Sequence, residues 1–180
     1  MARNPKKQIT TLILDVDGVL TTGQFTYTAQ GKFSKTFGAH DNDGIKLMRP
    51  HMDICAITAD KRGFAITKKR VADDMGIPLH LVSETDRLAW IKEHFDIKSC
   101  AYMGDGMFDA RIFGHVGYAI APANAFQLAK DHAHHVTRAR SGEGAVAEAC
   151  WHLAKKFLGG WDMSILDPVV KPNPIKRLKP

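Results

Sequence analysis

Thr11-Leu12-Ile13-Leu14-Asp15-Val16-Asp17-Gly18-Val19-Leu20-Thr21 is the stretch that decides the fold. It opens as an apolar run of the kind that forms a buried strand. Two aspartates follow, two residues apart, and in an extended chain they point to the same side. Gly18 then ends the strand and lets the backbone turn sharply. Two carboxylates at the end of a buried strand are costly unless positive charge meets them. A divalent metal, with a substrate held beside it, would supply that charge. An Asx-rich turn closing a strand is the plainer account of the same residues, and the rest of the chain discriminates between the two.

Outward from this stretch, strands and helices alternate. Gln24-Phe25-Thr26-Tyr27-Thr28 and Lys32-Phe33-Ser34-Lys35-Thr36-Phe37 are rich in β-formers and flank Ala29-Gln30-Gly31, which predicts a hairpin over about 24–37 after a turn at Thr21-Thr22-Gly23. Phe25 and Tyr27 share a face, as do Phe33 and Phe37 by their spacing. Such a hairpin needs cover for its aromatics, and a subunit interface would give it. Asp41 starts a short helix, Ile45 to Met48, stopped by Pro50. Strands are predicted over Met52–Thr58, Pro78–Val82, Ser99–Gly104 and Val116–Ala121, with a short extended piece at His135–Thr137. Helices are predicted over Arg62–Met75 and Ser83–Phe95, with Ser83 as N-cap and Asp86 completing a partial capping box. Further helices follow at Met107–Phe113, from Asn124 to about His132, and at Gly144–Leu158. The alternation implies an α/β fold with a central parallel sheet and helices on both faces. Ligands of such sheets bind beyond the carboxyl ends of the strands. Asp15, Thr58 and Asp105 each end a different predicted strand, so one cleft could collect all three.

The chemistry follows from the residue types. Hard oxygen ligands suit Mg²⁺, and Asp15 and Asp105 offer two carboxylates from separate strands. Asp105 read alone is also an ordinary helix N-cap. A hydroxyl and backbone N–H groups at Thr58-Ala59-Asp60 would hold phosphoryl oxygens. Arg87, near the start of the helix after the third sheet strand, and Lys92, deeper in it, read alone as solvated helix cations.

Composition bounds the rest. The chain has 180 residues, of which 44% are hydrophobic, enough for one globular domain. Residues 1–160 read as that domain and residues 161–180 as a basic, Pro-rich tail without regular structure. The net charge is +6, but three cations sit in residues 1–7 and four in residues 171–180, neither with an acid. The body is therefore near neutral and has no basic face with interleaved aromatics, which argues against nucleic acid as a partner. No apolar run approaches the roughly 18–20 residues of a membrane span. Met1 to Gln8 is basic, but only about four apolar residues follow it, unlike a secretory signal. Cys55, Cys100 and Cys150 have no metal-type spacing and read as core thiols of a reducing compartment. A cytoplasmic protein is expected.

Asp15-Val16-Asp17-Gly18-Val19-Leu20-Thr21 resembles motif I, DxDGxxT, of the haloacid dehalogenase (HAD) superfamily. Ile57-Thr58-Ala59-Asp60 resembles its motif II, and Gly104-Asp105-Gly106-Met107-Phe108-Asp109 its motif IV, GDxxxD. The resemblance implies Asp15 as the nucleophile that forms an aspartyl-phosphate and Asp17 as general acid and base. It implies Mg²⁺ held by Asp15, Asp105 and the backbone carbonyl of Asp17, with Asp109 supporting, and a cation at the position of Arg87. Within the superfamily, the hairpin in place of a cap domain, Asp41 to Ile45 and Gly142-Glu143-Gly144-Ala145-Val146 resemble the capless phosphatases of 3-deoxy-D-manno-octulosonate (KDO) 8-phosphate. That implies a sugar-phosphate substrate of lipopolysaccharide biosynthesis and a homotetramer built through the hairpin. The chain departs from that family at Thr22, at Asn42-Asp43, at Asp60 (usually Arg), at Arg87 (usually Lys), at Gly106 (usually Asp) and at Glu143 (usually Arg). Cations lost at 60 and 143 leave open a nonulosonate 9-phosphate or another sugar phosphate as substrate. A non-catalytic module partnering a sugar-acid cytidylyltransferase is the reading from another class.

Overall fold

The computed structural model describes residues 8–166. The basic segment at residues 1–7 and the tail from residue 167 onward lie outside the described residues. Six parallel strands form one sheet in the order β5-β4-β1-β6-β7-β8. Their ranges are β1 Thr11–Asp15, β4 Asp53–Thr58, β5 Leu79–Leu81, β6 Cys100–Met103, β7 Tyr118–Ala121 and β8 His135–Val136. Strand β1 lies between β4 and β6 and pairs in parallel with both. The chain first builds outward on one side of β1 and then on the other, so the strand order reverses at β1. That reversal opens a crevice at the carboxyl end of β1, where Asp15 sits.

The apolar alternation of β1 divides the core. Leu12 and Leu14 belong to the layer that packs under α1 (His40–Met48) and α6 (Ala145–Phe157). Ile13 belongs to the opposite layer, with Leu88 and Ile91 of α3 (Arg87–His94) and Ile112 and Phe113 of α4 (Met107–Phe113). Cys55, Cys100 and Cys150 are free and buried, as their spacing implied.

Several boundaries move for identifiable reasons. The predicted turn at Thr21-Thr22-Gly23 lies inside a strand: β2 is Thr21–Thr28 and pairs antiparallel with β3, Gly31–Phe37. The turn signal was spent on an irregularity of that strand, where Gly23 takes φ 79°. Asp41 does not begin its own helix, since α1 already starts at His40. Its carboxylate instead accepts from the Val146 and Ala147 amides at the first turn of α6. Asn124 does not cap the next helix either, because its amide is engaged by Ser141 and α5 starts at Gln127. The predicted helix from Arg62 is α2 (Phe64–Thr67), continued by wider turns over Lys68–Asp74. α3 begins at Arg87, but the Ser83 hydroxyl still accepts from the Asp86 amide, the first half of a capping box, and donates to the Asp86 carboxylate. Of the predicted tail, Met163–Leu166 forms a short 3-10 turn. No helix among the described residues is long and apolar enough to cross a membrane.

Candidate active site

Asp15 closes β1 in extended conformation, and the chain then turns through Val16–Leu20 with Gly18 at φ 90°. A Cβ on Gly18 would lie 2.0 Å from the Asp105 carboxylate, so only glycine lets this turn approach the end of β6 so closely. Asp15, Asp17, Ala59, Asp60, Arg87, Asp105 and Asp109 all line one cavity of about 540 Å³. Thr58 is fully buried behind that wall. Its hydroxyl donates to Asp17 Oδ2 at 2.9 Å and accepts from the Asp60 amide at 3.1 Å.

One nitrogen organises the buried side of the cavity. Arg87 Nη1 lies 2.9 Å from Asp15 Oδ2, 2.9 Å from the Tyr102 hydroxyl and 3.0 Å from Asp109 Oδ1. Tyr102 in turn donates to Asp109 Oδ1 at 2.6 Å. The other Asp109 oxygen accepts from the amides of Asp105 and Gly106 at 3.0 and 2.8 Å. Asp109 is thus fully engaged in orienting Arg87 and the loop that carries Asp105. Arg87 is only 3% exposed, which excludes the solvated-helix reading.

Asp15, Asp105 and Asp109 each offer an oxygen, all within 4.8 Å of one another. Asp109 accepts four hydrogen bonds, whereas Asp15 accepts one at each oxygen, from the Val16 amide and Arg87, so Asp15 and Asp105 keep more acceptor capacity for a cation. Burial, outweighing the lowering effect of Arg87 and reinforced by Asp109 and Asp105, raises the Asp15 carboxyl to about 8. Burial and the neighbouring Asp109 raise Asp105 to about 7. Two carboxyls held up in this way, with oxygen donors only, fit a hard divalent cation between them.

The opposite wall holds residues the sequence reading did not single out. Lys35 of β3 has a fully buried side chain whose Nζ lies 2.7 Å from Asp17 Oδ1 and 2.7 Å from Asp60 Oδ2. It also donates to Thr67 Oγ1 at 2.8 Å. Lys32 Nζ lies 2.5 Å from Asp60 Oδ2 and 3.5 Å from the centre of the Phe25 ring. Burial tends to raise the Asp60 carboxyl, but its bonds to Lys32, Lys35 and the Gly63 amide prevail and bring it down to about 2. Cations therefore do face position 60, delivered by the hairpin. Glu143 is exposed and is not among the cavity's walls. Tyr102 had a usable signal, since a tyrosine in a buried strand needs a partner for its hydroxyl.

The arrangement can place a phosphate among the Asp15 and Asp17 carboxyls and the Arg87 cation. Comparison with known proteins agrees with it. The haloacid dehalogenase-like hydrolase family matches residues 88–149. 3-Deoxy-D-manno-octulosonate 8-phosphate phosphatase KdsC of Yersinia pestis is 34% identical over 150 residues, covering 77% of this chain and 76% of its own. The enzyme of the same name from Escherichia coli K12 is 32% identical over 155 residues, covering 80% and 78%. The crystal structure of a probable yrbI family phosphatase from Pseudomonas syringae superimposes with a TM-score of 0.74 at 32% identity, covering 83% and 86%. That of the Moraxella catarrhalis KDO 8-phosphate phosphatase, in complex with magnesium, phosphate and KDO, does so with a TM-score of 0.72 at 27% identity, covering 83% and 87%. With identity of this order over three quarters of both chains, on this sheet and around this cavity, the chain belongs to the HAD-like hydrolases, as a phosphatase of the KDO 8-phosphate phosphatase family.

Proposed function

We propose that this phosphatase hydrolyses the phosphate monoester of a sugar acid, KDO 8-phosphate foremost, through an aspartyl-phosphate on Asp15 and with Mg²⁺ as cofactor. The observation that carries the reading is the convergence of Asp15, Asp17, Asp105 and Arg87 on one cavity. An Asp15 oxygen attacks phosphorus in line with the ester bond, and that bond breaks toward the sugar oxygen. Asp17 gives its proton to the departing alkoxide. It then takes a proton from the water that attacks phosphorus, the bond from phosphorus to Asp15 breaks, and free phosphate leaves. Arg87 offsets charge on the nucleophile and the phosphoryl group. Ala59 and Asp60 line the cavity beside the phosphate, and Thr58 lies behind them with its hydroxyl engaged by Asp17 and the Asp60 amide. Asp15, Asp105 and the Asp17 carbonyl would hold Mg²⁺, which would supply positive charge to keep Asp15 ionised and screen the phosphate. Asp109 acts only through Arg87 and the Asp105 loop.

The similarity to KDO 8-phosphate phosphatases favours KDO 8-phosphate. Asp60, where that family usually has Arg, favours a second reading, a nonulosonate 9-phosphate or another sugar phosphate. Phosphate release from a panel of sugar phosphates, with Mg²⁺ and with chelator, tests both. Mg²⁺-dependent release is expected, strongest on KDO 8-phosphate, and Asp15→Asn abolishes it. Equal release by that variant would overturn the nucleophile. No release from any ester would favour a non-catalytic partner of a sugar-acid cytidylyltransferase.

A further inference from the structure

We propose that Lys35 is a positioning residue for Asp17, fixing its carboxylate toward the cavity and tying it, through Asp60 and Lys32, to the seating of the hairpin. The inference rests on the reading of Asp17 as the acid and base. Lys35 does not itself reach a substrate. Its side chain is wholly buried, and three oxygens lie within 2.8 Å of its ammonium, from Asp17, Asp60 and Thr67. Lys35 is not among the residues that line the cavity.

Lys35 forms an ion pair with one oxygen of Asp17, without a hydrogen bond to it, while the Thr58 hydroxyl donates to the other. The contacts close into a ring. Asp17 Oδ2 accepts from Thr58, the Thr58 hydroxyl accepts from the Asp60 amide, and the Asp60 carboxylate pairs with Lys35, which returns to Asp17 Oδ1. A carboxylate bonded at one oxygen and ion-paired at the other is restrained in its rotamer. Proton transfer to a leaving oxygen depends on such fixation, because small misplacements of reacting groups are costly. Lys32 extends the ring outward, pairing with Asp60 while it lies over the Phe25 ring of β2.

The strand register makes this possible. Pairing passes from Thr26 opposite Ser34 to Tyr27 opposite Lys32, so Phe33 is an extra residue without a partner. This bulge resets the alternation and puts Lys32 and Lys35, three residues apart, on the same face of β3.

The test compares Lys35→Met, Lys35→Arg and Thr67→Val with the unaltered protein on two esters. KDO 8-phosphate leaves as an alkoxide that needs a proton, whereas 4-nitrophenyl phosphate leaves as a stable phenolate. Lys35→Met is expected to lower kcat/KM on KDO 8-phosphate about 100-fold through kcat, with KM within about threefold, and to lower it on the nitrophenyl ester by less than about fivefold. Lys35→Arg restores about tenfold of the loss. Thr67→Val, which removes only the far anchor of Lys35, gives a smaller loss with the same preference between esters, and it carries the test if Lys35→Met does not fold. Equal losses on both esters, or a change in KM alone, would overturn the proposal. A crystal structure of the Lys35 variant separates this from the phosphatase reading. Asp17 swung away from Thr58 supports the hold by Lys35 even if no ester is turned over, and an unmoved Asp17 refutes it.

Discussion

Arg87 stands where the family usually carries Lys, and the two side chains are not interchangeable when a guanidinium uses its fork. Here the fork is unused. All three oxygens converge on Nη1, while the buried Nε has no hydrogen-bond partner. A single ammonium can satisfy the same three oxygens. Arg87→Lys is therefore expected to fold normally and keep kcat within about tenfold of the unaltered protein. Arg87→Met leaves Asp15 and Asp109 facing each other without a cation, a loss of about 3–5 kcal/mol by urea unfolding, with kcat down at least about 100-fold. A methionine variant as stable and active as the lysine one would remove the charge argument. At this scale the sequence was legible wherever a residue acts at the end of its own strand, as Asp15 and Asp105 do. It was silent on Lys32 and Lys35, because a bulge decides where they point and no local signal announces one.

The elements repeat that lesson. Strand and helix identities followed from apolar period and turn residues, and α4 matches its predicted span, Met107–Phe113. The Ser83 cap holds, but Asn124 and Asp41 show that a polar residue at a helix start can serve a distant element. Asp41 reads as the start of its own helix, yet its Oδ1 holds the first turn of α6, more than 100 residues away. Burial outweighs the amides of Ala147, Val146 and Gly144 and raises its carboxyl, and its Oδ2 has no partner. Asp41→Ala loses the cap and should cost about 1–2 kcal/mol. Asp41→Asn keeps the acceptor and removes a poorly compensated buried charge, so at pH 8 it should be neutral or stabilising. Urea unfolding of both variants decides this, and equal losses would mean that the charge itself clamps α6.

Across the whole molecule, the switch in strand order at β1 brings a buried acid, Asp15, and a half-buried one, Asp105, together before any ligand arrives. Their ordinary carboxyl value is 3.8, and in the folded chain Asp15 and Asp105 stand at about 8 and about 7. The fold thus binds protons that the unfolded chain does not. The stability this contributes is complete below about pH 4 and is lost as pH rises through 7 to 8. A divalent cation needs the ionised carboxylates, so its affinity grows over the same window. The gap between melting temperatures with Mg²⁺ and with chelator should therefore widen from pH 6 to pH 8.5. At 100 times the dissociation constant it should reach about 5–10 °C. A gap independent of pH would place the cation away from these two acids.

Assembly is the other property of the whole molecule that the hairpin bears on. Phe37 packs against the core, but Phe25, Tyr27 and Phe33 remain 41%, 54% and 69% exposed. Three large aromatics left open on one two-stranded element are what an interface uses. We propose the homotetramer implied by the family resemblance, with these hairpins at its centre. Light scattering should then give the mass of four chains. Phe33, the bulged residue, takes no part in the ring of Lys35, Asp17 and Thr58, so Phe33→Asp tests the interface without touching that ring. It should lower the mass toward a single chain, with Asp17 still held by Lys35 and Thr58. An unaltered protein that runs as one chain would refute the assembly, and a Phe33→Asp variant still of four chains would place the interface on another face.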